Sequence, residues 1–182
     1  MLHYDNEEDL ERAELYTLFA GFFMKEPTVG MLMQVSEIFQ MKFNDSIFEI
    51  GMDFVNNFVK SEGNLLPFES LYNYPIGDKP RPWGKAAEDV QAFYTKTGLV
   101  IDEEINLIQD HISVELLFMS YLIENDFIEQ QKRFLEEHLR KWIPEYCNKI
   151  YKHAKTVFYK ELANLLKEFI LSEYENFEPK ET

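Results

Sequence analysis

The chain has 182 residues, of which 46% are hydrophobic and 15% aromatic, so it can bury a sizeable core and is not expected to be disordered. Its formal net charge is −15, and residues 1–131 hold 24 acidic but only 8 basic side chains. A surface of this sign repels nucleic-acid phosphates and anionic lipids and attracts cationic partners. We therefore expect no nucleic-acid binding and no stable membrane insertion.

The spacing of the hydrophobic residues predicts an all-α protein. Apolar side chains recur at three- and four-residue steps, and the period-two alternation of strands is hard to find. No apolar run reaches the ~18 residues of a membrane span, and the acidic start of the chain does not resemble a secretion signal. The expected location is therefore the cytoplasm. Cys147 is the only cysteine, which excludes an internal disulfide, and it is expected to be a buried core residue.

Three amphipathic helices are predicted in the first third of the chain. The first starts after a cap at Asn6 and ends before Pro27, because a residue that precedes proline is pushed out of the α-helical region. The second starts at a Thr28 cap, and the third at Asn44 or Asp45. Their inward faces are predicted to hold Leu15, Leu18, Phe19, Phe22, Phe23, Leu32, Val35, Phe39, Ile47, Ile50, Phe54 and Phe58.

The segment 62–84 interrupts the helical pattern, because it holds four prolines and three glycines. It also carries Phe68, Tyr72, Tyr74 and Trp83, which are too hydrophobic for a flexible linker. We therefore predict an ordered hinge loop whose aromatic side chains pack on the helices that it connects.

The rest of the chain is again helical. We predict a helix over Lys85–Lys96, a central helix over 106–123, a helix capped by Asp126, and a further helix that starts at Pro144 and breaks near 156–160. The prediction is one domain over 1–182, with N-terminal helices in 7–61, the hinge loop in 62–84 and C-terminal helices in 85–176.

The stretch 106–123 is the most apolar long segment, yet it carries Asp110, His111 and Glu115. Burying an unpaired charge is costly, so these groups must be exposed at the rim of the helix, paired, or functional. His111 and Glu115 are four residues apart and would share a helix face, where they could pair or offer two metal ligands. Capping and packing at the helix start would explain Asp110 and His111 equally well.

Catalytic and metal-binding patterns are missing from the sequence. The other histidines, His3, His138 and His153, complete neither an HExxH nor a Glu-x-x-His arrangement, and no nucleophile elbow, phosphate-binding loop or dinucleotide turn occurs. His138 lies on an apolar face and is expected to be a hydrogen-bonded core residue. We therefore expect no enzyme activity, no resident metal and no cofactor. A helical metalloprotein or enzyme that uses His111 and Glu115 is kept as a less favoured alternative.

Five separated blocks of the chain resemble the TorD/DmsD/NarJ-like family of redox-enzyme maturation chaperones. In order along the chain they read ERAELYTLFAGFF, PFESLY, DHISVELLFMSYL, QQKRFLEEHLRKWIPEY and AKTVFYKELANLL. The resemblance implies an all-α fold of the TorD-like type. It also implies a private chaperone that binds the N-terminal leader of a molybdenum-containing oxidoreductase subunit, in many members a twin-arginine export signal, and holds it until the molybdopterin cofactor is inserted.

The family signature at the central block is Glu or Gln, then Pro, any residue, Asp and His. Asp110 and His111 match its end, whereas Leu107 and Ile108 stand at the first two positions. A proline would set a turn before the helix, so its absence here predicts a helix that begins earlier.

The resemblance suggests a physical hypothesis for leader binding. Paired arginines followed by an apolar stretch need carboxylates beside a hydrophobic surface. We predict that Asp110 and Glu115, with Glu69 and the acidic run 102–104, lie at an exposed rim and face the arginines. Tyr72 and Trp83 would line the apolar part, and His111 would orient the loop or titrate near neutrality.

Two alternatives to this function stay open besides the metalloprotein. In NarJ-like members the client is a molybdoenzyme that is not exported, and its leader has no twin-arginine pair. A purely structural interaction module would also fit the acidic surface. For the oligomeric state, we expect a monomer or a dimer that exchanges helices about the hinge loop.

Overall fold

The computed structural model describes residues 7–60, 65–99 and 108–177, and within these ranges it contains helices and no strand. The helices are α1 (Glu7–Met24), α2 (Val29–Phe39), α3 (Ile47–Phe54), α4 (Lys85–Lys96), α5 (Ile112–Glu124), α6 (Ile128–Phe134), α7 (Arg140–His153) and α8 (Val157–Phe177). π-helical turns at Val55–Val59 and Leu135–Leu139 follow α3 and α6, and a 3-10 turn spans Glu69–Leu71. The all-α prediction is confirmed.

Helix α5 is the centre of the bundle, and α1 packs along it in the antiparallel direction. Nine of the thirteen residues of α5 are buried. Ser113 Oγ donates a hydrogen bond of 2.8 Å to Ala20 O, and Thr17 Oγ1 donates one of 3.1 Å to Ser120 Oγ. The N-terminus of α5 therefore lies beside the C-terminal half of α1, and the two helices run past each other from there.

Helices α6 and α7 form one continuous helical rod through the π-helical turn Leu135–Leu139, so the predicted break at Pro144 is wrong. Pro144 lies inside α7 and cannot donate the hydrogen bond that a helix interior normally contains, at a local cost of ~3 kcal/mol. The same helix buries Trp142, Ile143, Tyr146, Cys147 and Ile150. Burying each large apolar side chain contributes about 1.5–3 kcal/mol, which together outweighs the proline.

The break before α8 lies at 154–156, two residues earlier than predicted, and it is stabilised by one aspartate of α3 and one that precedes α3. Asp53 Oδ2 accepts hydrogen bonds from Lys155 N at 3.0 Å and Thr156 N at 2.9 Å. Asp45 Oδ2 accepts one from Phe158 N at 2.9 Å. Two carboxylates thus lie at the positive end of α8, where Asp45 satisfies one of its free N–H groups and Asp53 fixes the two residues that precede it.

The helix caps agree with the sequence in part. Thr28 caps α2 as predicted, whereas α3 starts at a Ser46 capping box rather than at Asn44 or Asp45, and Ile47 is consequently exposed. Asp126 has a positive φ of 57° and does not cap α6, which follows Phe127 instead. The predicted Asn6 cap lies outside the described residues. Of the other predicted inward residues, Leu15 and Phe39 are half-buried and the rest are buried.

Candidate functional site

Helix α5 begins at Ile112, later than the predicted start at residue 106. Ile108 to His111 form a turn, in which His111 N donates to Ile108 O at 2.9 Å, and residues 106 and 107 lie outside the described ranges. His111 is the N-terminal cap, because its Nδ1 accepts a hydrogen bond of 3.1 Å from Ser113 N. Tyr94 OH holds the turn from α4 by donating to Gln109 O at 2.8 Å. The turn therefore forms without the family proline.

Backbone and side-chain hydrogen bonds join the hinge loop to this turn. Glu69 N donates to Asp110 O at 2.9 Å, and Ile112 N donates to Pro67 O at 2.9 Å. Ser70 N donates to Asp110 Oδ2 at 2.8 Å. These bonds join two segments some forty residues apart in the sequence, so Asp110 fixes the course of the loop.

Three carboxyl groups, two histidines and a tryptophan are buried where the loop meets α5 and the α6–α7 rod. We call this the buried polar cluster; it consists of Glu69, Asp110, His111, Glu115, His138 and Trp142. The three carboxyl-bearing residues are 0% exposed, so their predicted position at an exposed rim is wrong. Their part in peptide binding stays a prediction.

Each carboxyl group of the cluster has an internal partner. Glu69 accepts from Asn73 Nδ2 at 2.6 Å and lies 2.9 Å from His138 Nδ1, which donates to it. Glu115 Oε2 accepts from Trp142 Nε1 at 2.9 Å. The carboxyl groups of Glu115 and Glu69 also influence each other electrostatically, whereas Glu115 Oε1 has no hydrogen-bond partner among the described residues. His138 is thus a paired core histidine, as predicted.

Burial sets the protonation of the cluster. It raises the pKa of Glu115 well above the ordinary value, and the neighbouring charge of Glu69 raises it further, so the protonated form of Glu115 is favoured. Burial also raises the pKa of Asp110, against the hydrogen bonds from Ser70. It lowers the pKa of His111 to about 4, so this imidazole is neutral at physiological pH. The expectation that His111 titrates near neutrality is wrong.

The aromatic residues of the hinge loop divide into a packed set and an exposed set. Phe68 packs its ring edge on His111 with centroids 5.4 Å apart, and Tyr72 stacks on Trp142 at 5.6 Å. By contrast Tyr74 is partly exposed, and Trp83 is 67% exposed and has a positive φ of 55°. The prediction that the loop aromatics pack is therefore right for the first half of the loop and wrong for the second.

A cleft of about 440 Å³ opens between the exposed half of the loop, the start of α4 and the α6–α7 rod. We call it the hinge cleft; its walls are Asn73, Tyr74, Pro75, Lys85, Ala86, Asp89, Glu137, His138 and Lys141. Two of its carboxylates have a cationic neighbour already, Asp89 with Lys85 and Glu137 with Arg133. The cleft combines an aromatic edge with charged groups that an incoming partner could re-pair.

Metal-binding clusters and membrane-spanning helices were searched for in the described part of the chain. Within 7–60, 65–99 and 108–177, His, Cys, Asp and Glu residues form no group of three or more suited to a metal ion. In the same ranges no helix is long and apolar enough to cross a bilayer. Cys147 is buried as predicted, and burial raises the pKa of its thiol.

The structure brings most of the site residues predicted from the sequence close to one another. Glu69, Tyr72, Asp110, His111 and Glu115 lie in or against the buried polar cluster, whereas Trp83 is at the surface. The acidic run 102–104 lies outside the described residues. Sequence reasoning missed the partners of the carboxyl groups, which are Ser70, Asn73, His138 and Trp142.

Comparison with known proteins identifies the family. The family described as nitrate reductase delta subunit matches residues 24–148, more than half of the chain. Chaperone protein TorD of Vibrio parahaemolyticus is 28% identical over 179 residues, covering 88% of this chain and 81% of that protein. TorD of Vibrio cholerae is 25% identical over 182 residues, covering 91% of this chain and 81% of that protein.

A solved structure from Archaeoglobus fulgidus, described as a redox enzyme maturation protein, has the same fold. Its TM-score is 0.62 at 22% identity, and the match covers 87% of this chain and 93% of that one. These relatives are named as chaperones and a maturation protein rather than as catalysts, which agrees with the prediction of a non-enzymatic protein. The chain belongs to the nitrate reductase delta subunit (TorD/NarJ) family.

Proposed function

We propose that this protein is a private cytoplasmic chaperone for a molybdenum-containing oxidoreductase. It binds the N-terminal leader of the catalytic subunit, which carries a twin-arginine pair, and holds it until the molybdopterin cofactor is inserted and before export. The observation that carries the proposal is the match to TorD chaperones along nearly nine-tenths of the chain. The geometry of the hinge loop supports it.

The exposed half of the hinge loop suits the apolar part of a leader. Tyr74, Ile76 and Trp83 are exposed, although large apolar side chains normally gain from burial. The first half of the loop is held rigidly by Asp110, so the exposed half projects from a fixed base. A partner that covers these side chains therefore gains apolar contact without ordering the whole loop.

The arginines of the leader would lie in the hinge cleft. Asp89 and Glu137 there take part in exposed ion pairs with Lys85 and Arg133, and such pairs contribute only about 0–1 kcal/mol. An arginine guanidinium can bind a carboxylate through two parallel hydrogen bonds, so it can replace a lysine partner. Glu69, Asp110, His111, Glu115 and Tyr72 would act by holding the loop, and Trp83 would contact the peptide.

A second candidate is a NarJ-like assembly factor for a molybdoenzyme that is not exported. The description of the matching family, nitrate reductase delta subunit, favours it. In this case the leader has no twin-arginine pair, and binding relies on the apolar surface around Trp83. The two candidates share the loop surface and differ in the charge that the client supplies.

Titration calorimetry with synthetic leaders tests the proposal. The probes are a peptide with two adjacent arginines followed by an apolar stretch, and the same peptide with two lysines, each at two salt concentrations. We expect the arginine peptide to bind about tenfold tighter and to weaken with salt, because each exposed charge-assisted contact is screened. Trp83→Ala should weaken both peptides. Tyr151→Ala removes a comparably exposed aromatic from α7 and should change neither.

The outcomes separate the two candidates. Equal binding of the two peptides, with a loss on Trp83→Ala, would support the NarJ-like role and remove the arginine preference. Absence of binding by both peptides, or equal effects of Trp83→Ala and Tyr151→Ala, would overturn leader recognition at the hinge loop.

A further inference from the structure

A second concave surface lies between α1 and α2. Two adjoining cavities of about 630 and 330 Å³ share Glu14, Leu18 and Gln34 as walls. On α1 the lining runs from Leu10 to Gly21, which is ~17 Å of helix, and Lys25 continues it just beyond the end of α1. We call this surface the α1–α2 groove.

The floor of the groove is apolar and adaptable. It is formed by Leu15, Leu18, Met31 and Ile38. Gly21 leaves room for the Met31 side chain, because a Cβ at position 21 would come within 3.2 Å of Met31 Cε. Methionine is flexible and polarizable, and it is frequent on surfaces that adjust to a partner.

Helix α2 is more apolar than its packing requires. Only Leu32 and Val35 of its eleven residues are buried. Val29, Met33 and Ile38 are exposed, and Met33 is 68% exposed. Of these three side chains Ile38 lines the groove, whereas Val29 and Met33 do not, so α2 adds one exposed apolar side chain to the groove.

The rim of the groove is negative at one end. Glu11 and Glu14 are exposed and have no cationic partner among the described residues. Glu124, at the C-terminus of α5, accepts a hydrogen bond from Ser120 but forms no ion pair there. Arg12 lies on the same helix, but it is engaged by Asp9 and Glu173. Three carboxylates thus lie at one end of the groove, whereas Lys25 lines its other end, and a cationic partner would complement the carboxylates.

The occupant has to satisfy its own backbone hydrogen bonds. The walls are helices whose N–H and C=O groups already bond within α1 and α2, so they offer no edge to which an extended peptide could pair. In a helix the backbone N–H and C=O groups already bond to each other, so a helix can place an apolar stripe in such a groove. A second copy of this chain is disfavoured, because self-association here would bring Glu11 and Glu14 of the two copies together.

We propose that the α1–α2 groove binds a basic amphipathic helix of a partner protein, with its apolar stripe on Leu18, Met31 and Ile38 and its lysines or arginines beside Glu11, Glu14 and Glu124. The surface goes beyond the proposed leader site. Its acidic rim lies at the C-terminal end of α5, whereas the hinge loop meets the N-terminal end of that helix, ~18 Å away along its axis.

Fluorescence anisotropy of a labelled 14-residue helical peptide tests the proposal. The peptide consists of leucine on one face and lysine on the other, and its counterpart carries glutamate in place of lysine. Two variants alter the groove: Ile38→Lys puts a cation on the floor, and Glu14→Lys reverses the rim. Matched controls are Ile128→Lys on α6 and Glu168→Lys on α8, which change exposed residues of the same type and give the same net charge.

We expect each groove variant to weaken binding of the lysine peptide about tenfold, the controls to change it less than twofold, and the glutamate peptide not to bind. Equal losses in the controls would show attraction to the overall charge only and would overturn the proposal. A dimer seen by size exclusion that Ile38→Lys abolishes would also overturn it in favour of a second copy. Trp83→Ala should leave this binding unchanged, so the groove and the leader site can fail independently.

Discussion

The two ends of α5 carry acidic residues with opposite surroundings. At its N-terminus Glu69, Asp110 and Glu115 are fully buried, and each has an internal hydrogen-bond partner. Beside its C-terminus Glu11 and Glu14 are exposed and have no cationic partner in the described part of the chain. The net charge of −15 therefore combines carboxyl groups that hold the fold together with carboxylates that are free to meet a ligand. Substitution of one buried and one exposed carboxyl group should separate the two roles.

Removal of Glu69 should have the largest effect on stability. Glu69→Ala leaves His138 Nδ1 and Asn73 Nδ2 without their acceptor in a buried site. Loss of one partner of a buried pair typically costs about 3–5 kcal/mol, a large part of the stability of a domain. Urea unfolding at neutral pH measures this loss.

The matched control for Glu69 is Glu137→Ala in the α6–α7 rod. Glu137 forms an exposed ion pair with Arg133, and its loss should cost less than about 1 kcal/mol. A cost for Glu69→Ala as small as that of the control would contradict the structural role of the buried polar cluster.

The proton on Glu115 should make stability depend on pH. The folded-state pKa of Glu115 is raised, so above its ordinary value of 4.5 the folded protein keeps a proton that the unfolded chain releases. The stability that this proton contributes is complete below 4.5 and declines as pH rises, by up to ~1.4 kcal/mol per pH unit. Glu69, Asp110 and Tyr94 also face this carboxyl group, so the effect is best measured as a difference.

Glu115→Gln provides that difference. The amide can accept the hydrogen bond from Trp142 Nε1 and does not titrate, so the variant should match the wild type near pH 4 and exceed it increasingly towards pH 8. Urea unfolding of both proteins over this range checks it. A constant difference across the range would mean that Glu115 is already ionised in the folded protein.

The contrast between the two ends of α5 also shows what the sequence could reveal. The apolar spacing was enough to predict the all-α class, the α4 bounds and the Thr28 cap, because these depend on neighbours in the chain. The start of α5 at Ile112 was not predictable in this way, since its turn is held by loop residues some forty positions earlier.

The sequence was enough to name several residues of the candidate site, but not to predict that their side chains are buried. The family resemblance pointed to Asp110, and the hypothesis of leader binding added Glu69 and Glu115. The two glutamates are buried against His138 and Trp142, which no local pattern connects to them. The α1–α2 groove was missed because Leu15 and Leu18 were assigned to the core and Met31 and Ile38 to no face, and periodicity does not tell whether a face meets a partner inside the chain.

The exposed carboxylates should show the smallest effect on stability, in the opposite direction. Glu11 and Glu14 are three residues apart on α1, where like charges are destabilising by about 0.2–0.5 kcal/mol. Glu14→Gln should therefore raise the free energy of unfolding by that amount at low salt, and the gain should vanish at high salt because exposed charges are screened. Urea unfolding at both salt concentrations measures it. A loss of stability would show that Glu14 has a structural partner and would remove it from the carboxylates available to a ligand.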